Sequence, residues 1–137
     1  MNDKIKLIER SPTTEEYRKL REAVEWWNMD IDATEAGLSN SLFSVCMESE
    51  NRIIGCGRVI GDGGIYYYIQ DILVLPEFQR QGIGECIMNA LMGYINEHAH
   101  TKAFVGLIAA KDKSGFYKQF GFKERPLNGP GMYLVIE

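Results

Sequence analysis

Between Ile65 and Ala109 the hydrophobic pattern changes period twice, and few folds accommodate both changes. Ile65 to Leu75 is rich in Tyr, Ile and Val and reads as a strand. Pro76 ends it, because proline brings no donor to a ladder. From Ile83 to about Ala99 the period becomes helical. Ile83, Ile87, Ala90, Leu91, Tyr94 and Ile95 fall on one stripe, away from Glu85, Asn89, Asn96 and Glu97. Ala103 to Ala109 is then a continuous apolar run, the pattern of a strand covered on both faces. A strand, a long helix and a second strand together form a crossover, which joins parallel strands.

The rest of the chain supplies antiparallel strands and short helices. Lys4 to Glu9 alternates like a strand, with Ile5 and Leu7 on one face. Thr13 and Glu16 stand at capping-box spacing and open a first helix. Asp32 and Glu35 repeat that spacing, which places a second helix from Ala33 to about Asn40. Leu42 to Ser49 and Arg52 to Ile60 read as strands joined at Glu50-Asn51. Gly61-Asp62-Gly63-Gly64 forms the next hairpin turn. Asp112 or Ser114 caps a last short helix through Phe120, which Gly121 stops in the left-handed conformation. Met132 to Ile136 reads as a closing strand. The expected order is β-α-α-β-β-β-α-β-α-β, an α/β fold in a single domain over residues 1–137.

Composition narrows the function. The 137 residues are 45% hydrophobic and 25% charged, the balance of a folded globular domain. The net charge is -4 and the pI about 5.3, against the basic excess of general nucleic-acid or anionic-membrane binders. No signal peptide is visible, and no apolar run approaches the roughly 20 residues that span a bilayer. Cys46, Cys56 and Cys86 lack structural-zinc spacing and read as reduced, mostly buried thiols, the expectation for a cytoplasmic protein. His98 and His100 lie two apart at a helix end and face different directions, so no metal site is expected.

Chemistry concentrates where the strand feeds the long helix, at Gln79-Arg80-Gln81-Gly82-Ile83-Gly84. Gly82 and Gly84 let the backbone curl close to a ligand. The first helical amides, around Gln81 to Glu85, lack partners within the helix and attract an anion such as a phosphate. Ile87 stands where the third glycine of a dinucleotide fingerprint belongs, and the Gly-Lys-Ser/Thr of a P-loop is missing. The stretch resembles the Q/R-x-x-G-x-G/A acyl-CoA signature of the GNAT superfamily of N-acetyltransferases. It follows Val74-Leu75-Pro76-Glu77, as in that family. One helix and one strand later, Phe116-Tyr117-Lys118-Gln119-Phe120-Gly121-Phe122 is similar to the family's F-Y-x-x-x-G-F element.

The resemblance implies a GNAT-like mixed central sheet, largely antiparallel, with a splayed parallel pair and flanking helices. It implies acetyl-CoA as cosubstrate, with no metal. Ile72, Leu73 and Val74 would offer backbone groups to the pantetheine arm, much as a sheet edge receives a peptide. Gln79, Arg80, Gln81, Gly82, Ile83, Gly84 and Glu85 would hold the diphosphate. Tyr117 would give a proton to the departing thiolate, since a phenol with a pKa of about 10 is protonated at neutral pH. An amide at Leu73 or Val74 would stabilise the oxyanion.

Asp71 sits just before the splay and is either the general base or a structural carboxylate. The family's Asn after the last long strand is missing, which leaves Lys111, Lys113 or Ser114 as alternative coenzyme contacts. Trp26, Trp27, Met29 and Tyr68 are the candidate walls of an acceptor pocket suited to an aromatic or cationic amine. The expected activity is direct acetyl transfer to a small amine, with a homodimer implied by resemblance alone. The competing readings are a non-catalytic acyl-CoA-binding module and a protein-modifying acetyltransferase.

Overall fold

Polar turns bend the middle of the chain into an antiparallel meander, seen here in a computed structural model that describes residues 4–137. Strand β1 (Ile5–Ile8) pairs with β2 (Phe43–Ser49), β2 with β3 (Arg52–Gly61), and β3 with β4 (Tyr66–Val74), all antiparallel. Glu50 and Asn51 both take positive φ, 50° and 62°, as a two-residue hairpin turn of the twist-matched type requires. At the next turn Asp62 Oδ1 accepts from the amides of Gly64, Ile65 and Tyr66. A fifth strand, β5 (Phe104–Gly106), pairs parallel with β4, giving the order β1-β2-β3-β4-β5.

Two layers of helix cover this sheet. On one face lies α3 (Ile83–His98), burying Ile83, Ile87, Met88, Leu91 and Ile95. Its approach requires Gly57, where an added Cβ would come within 2.5 Å of Ile87 Cγ2. On the other face α1 (Thr14–Ala23) and α2 (Ile31–Ser39) bring Tyr17, Leu20 and Leu38 against Cys56 and Leu73. The capping box of α1 forms as expected, with Glu16 N donating to Thr13 Oγ1 at 3.1 Å and Thr13 N to Glu16 Oε1 at 2.9 Å. Helix α2 begins earlier than expected. Asp30 caps it, its Oδ2 accepting from Ala33 N at 2.9 Å, and Asp32 lies in the first turn.

The chain resolves into two compact units, Met1–Leu107 and Ile108–Glu137. The second contains α4 (Ser114–Lys118), shorter than the expected helix through Phe120. Neither Asp112 nor Ser114 caps it. Lys113 occupies the cap position, and Asp112 takes a left-handed φ of 63°. Gly121 is left-handed, φ 92°, as expected.

Two strand expectations are corrected. The run from Ala103 to Ala109 yields only the three residues of β5, and it is not covered on both faces: Phe104 is 49% and Ile108 72% exposed. Met132 to Ile136 forms no strand. Apolar residues make a segment competent to pair, but a strand exists only where a neighbouring backbone takes its hydrogen bonds.

Candidate active site

Strand β4 pairs with β5 only at Tyr66↔Phe104, Tyr67↔Val105 and Tyr68↔Gly106. On its other side it stays paired with β3 as far as Gly55↔Val74. Along residues 69–74, therefore, one backbone edge of β4 faces no strand among the described residues. Ile72 and Val74 are half-buried there, and Leu73 is buried with its side chain in the α1/α2 core. Side chains pack on the sheet faces while the open edge consists of backbone.

The strand then runs into a 3-10 turn, Pro76–Phe78, and a left-handed step at Arg80 (φ 63°) and Gly82 (φ 83°). Two glutamines stitch this turn. Gln79 Nε2 donates to Val74 O at 2.9 Å, and Gln81 Nε2 to Glu77 O at 3.2 Å. Their amide side chains are thus committed to the protein, which leaves their backbone for a ligand. The Arg80 side chain is exposed. Gly82 precedes α3 and no side chain caps the helix, whose first intrahelical bond is Cys86 N to Gly82 O at 3.0 Å. The amides of Ile83, Gly84 and Glu85 accordingly have no intrahelical acceptor. An added Cβ on Gly82 would meet nothing within 4 Å. An uncapped, open helix start attracts anions, and an open sheet edge can receive an extended chain.

Asp71 lies at a kink within the stretch of β4 that β5 does not pair. Gly57 opposes both Asp71 and Ile72, making a bulge, and Asp71 takes φ 59°. Its carboxylate is buried and fully engaged. Tyr17 Oη donates to Oδ2 at 2.9 Å, Arg58 Nε to Oδ2 at 2.9 Å, and Gln70 Nε2 to Oδ1 at 3.3 Å, while Arg21 Nη1 stands 3.5 Å from Oδ1. The side chains of Arg21 and Asp71 are only 5% and 2% exposed. Burial first, then the Asp71 charge, pushes the Tyr17 phenol up to about 12. Tyr17, Arg21 and Arg58 were not singled out from sequence. A signal existed for one of them: Arg21 falls four residues after Tyr17 on the buried side of an amphipathic helix.

Arg21 also organises the segment between α1 and α2. Its guanidinium lies 5.3 Å from the Trp26 ring and 5.7 Å from the Trp27 ring, and its Nε donates to Trp27 O at 2.8 Å. Arg18 Nη1 fixes Met29 O at 2.7 Å. Trp26, Trp27 and Met29 are all exposed. Tyr68 is half-buried, which raises its phenol above the ordinary value. The bulge brings Tyr68 to the same sheet face as Asp71, because Ile69 and Val59 pair on the α3 side.

In the second unit, Tyr117 lies on α4 within an aromatic group. Its ring centroid is 5.1 Å from that of Phe116 and 6.5 Å from that of Phe122, both edge-on. Burial raises its phenol above the ordinary tyrosine value. Ser114 begins the same helix. Among the described residues, no three or more His, Cys, Asp and Glu side chains gather as metal ligands would, and no helix is long and apolar enough to cross a membrane.

A mixed sheet whose parallel pair β4–β5 parts beside an uncapped helix start is what the resemblance to the GNAT superfamily implies, and the comparisons agree. Residues 39–124 match the family described as Acetyltransferase (GNAT) domain. The solved structure of SA2161, a probable acetyltransferase from meticillin-resistant Staphylococcus aureus, is 38% identical, with a TM-score of 0.91 over 96% of this chain and 99% of that one. The GNAT family protein SP0256 from Streptococcus pneumoniae is 29% identical, with a TM-score of 0.77 over 96% and 98%. The uncharacterized N-acetyltransferase ycf52 of Porphyra purpurea is 25% identical over 86% of this chain and 69% of its own length. The chain belongs to the GNAT family of acetyltransferases and is an acyltransferase enzyme. Enzymes of this family use acetyl-CoA.

Proposed function

We propose that the chain transfers the acetyl group of acetyl-CoA directly to the amine of a small acceptor. The observation that supports this reading is the open β4 edge over residues 69–74, running straight into the uncapped start of α3. Backbone groups of Ile72, Leu73 and Val74 bind the pantetheine arm, and the amides from Gln81 to Glu85 hold the diphosphate, with the Arg80 cation beside them. Bound there, the coenzyme supplies an activated thioester. An amide of Leu73 or Val74 stabilises the negative oxygen that develops at the carbonyl. The acceptor nitrogen bonds to the carbonyl carbon, the carbon–sulfur bond breaks as Tyr117 donates its phenolic proton to the leaving sulfur, and the proton lost from nitrogen passes to solvent water, from which Tyr117 is reprotonated. Cys46 and Cys56 are unsuited to a covalent relay: burial pushes Cys46 up to about 11 and Cys56 well above the ordinary thiol value.

Asp71 serves this scheme best as a positioning residue. Its oxygens are already occupied by Tyr17, Arg58 and Gln70, with Arg21 beside them, so it would have to release a donor to take a proton from an amine. It fixes Arg21, which in turn carries Trp26 and Trp27. Those exposed rings, with Met29 and Tyr68, form the walls that select an aromatic or cationic amine.

Thiol release from acetyl-CoA, measured across a panel of small amines and a parallel panel of lysine peptides, tests the proposal. Turnover on amines alone is expected. Turnover confined to peptides would make the chain a protein-modifying enzyme, and binding of acetyl-CoA with no turnover would overturn the assigned acceptor class.

A further inference from the structure

A cleft of about 350 Å³ opens where the end of α2 and the residues after it meet the chain that leaves β1. That volume lies within the roughly 300–1,000 Å³ of small-molecule sites. None of the residues assigned above to coenzyme, acceptor or proton transfer lines it. It is also displaced along the strands from the coenzyme turn: Phe43 and Ser44 stand level with Val59 and Arg58, whereas Val74 stands level with Gly55. Ser44 lines this cleft and is only 9% exposed, yet its buried Oγ has no hydrogen-bond partner. A hydroxyl in that position has given up its bonds to bulk water, and only a bound molecule restores them.

The charges around the cleft select the sign of that molecule. Arg10 is already committed: its Nη1 and Nη2 grip Glu16 at 2.8 and 3.1 Å, and Nη1 donates to Ser11 O at 3.0 Å. Arg58 reaches Gly37 O and Ser41 Oγ, but its charge is spent on Asp71. The Glu9 carboxylate, by contrast, has no partner among the described residues. Helix α2 turns its negative end this way, with no basic residue in its last turn. Ser39 Oγ gives its proton to Glu35 O at 2.9 Å, which leaves its lone pairs open. A free carboxylate, open hydroxyl oxygens and a helix C-terminus together call for a donor-rich cation, and Leu42 and Phe43 add an apolar wall. We propose that the cleft is a second site, apart from the acceptor walls, for a small primary alkylammonium. Its nitrogen donates to Ser44 Oγ and Ser39 Oγ beside Glu9, and its short hydrocarbon lies on Leu42 and Phe43.

Amide NMR spectra of the nitrogen-15-labelled full chain, titrated at pH 7 with n-butylamine, 1-butanol and butyrate in turn, test the site without coenzyme or turnover. Butylamine is charged at that pH, as lysine is. It should shift the amides of residues 9–11 and 38–44 and saturate them, while the neutral and anionic probes of the same length bind about tenfold more weakly. Glu9→Gln, a change at an exposed side chain, should weaken butylamine about threefold. Ser44→Ala should weaken it about tenfold and leave the unfolding midpoint unchanged or higher, because the hydroxyl it removes bonds to nothing within the chain. Equal shifts from 1-butanol overturn the proposal, as does binding that survives both substitutions. Shifts confined to Trp26, Trp27 and Tyr68 also overturn it, while leaving the acceptor reading intact.

Discussion

Tyr117 carries the clearest test at the scale of a single residue. A phenol that delivers a proton must hold one, and burial raises the value at which Tyr117 loses it. The alkaline limb of the rate profile should therefore lie above the ordinary tyrosine value of about 10. Tyr117→Phe should lower kcat about 100-fold or more and abolish that alkaline limb, as read in pH–rate profiles of the two enzymes. Glycines make a second test, because two of them hold positive φ for different reasons. Gly82 has open space around it, so Gly82→Ala should cost about 1–2 kcal/mol in urea unfolding, the strain of a left-handed alanine alone. At Gly61, φ 149°, an added Cβ would come 2.2 Å from Tyr66 O, so Gly61→Ala should destabilise more and loosen the start of β4. The sequence already marked Gly82 by its place in the motif. It did not show that Tyr68 and Asp71 share a face. Three apart on a regular strand they would point oppositely, and only the bulge opposite Gly57 reverses the count.

Elements were most legible where local chemistry decides them. The Thr13–Glu16 box, the Glu50-Asn51 turn and the long stripe of α3 each rest on neighbours in sequence, and each formed as read. The strand misreadings involve pairing at a distance: the length of β5 and the fate of residues 132–136 depend on which backbone lies alongside, and composition is silent on that. The buried carboxylate network was half visible for the same reason. Asp71 stood out, but its partners come from α1 and β3, far away in sequence. Asp71→Asn removes the charge between two arginines that are largely buried, and should cost about 3–5 kcal/mol in denaturant unfolding. A variant that keeps its stability but loses turnover together with the acidic limb of its pH profile would instead make Asp71 the base. At the start of α1, hydrogen bonds from Arg10 hold the Glu16 carboxyl below the ordinary range. A carboxyl depressed in the folded state stabilises above its unfolded value of about 4.3, and that stability is lost as pH falls through the folded value. Glu16→Gln should therefore be less stable than the parent at pH 7, with the difference in unfolding midpoint closing towards pH 3.

Over the whole molecule, burial ranks the thiols. Cys46 and Cys56 lie in the core and Cys86 is half-buried, with all three free. Iodoacetamide at pH 8 should label Cys86 first and reach the other two only in denaturant, as followed by intact mass. The open edge of β4 has a broader consequence. What it presents to a cosubstrate is main chain, which every residue type except proline supplies in full. Ile72 and Val74 can therefore drift among residues of similar shape over many generations without eroding recognition of the nucleotide arm, whereas a single proline in that stretch would erase it. Conserved side chains are a poor guide to this half of the binding surface, and variation can accumulate at the acceptor walls while the donor half stays the same.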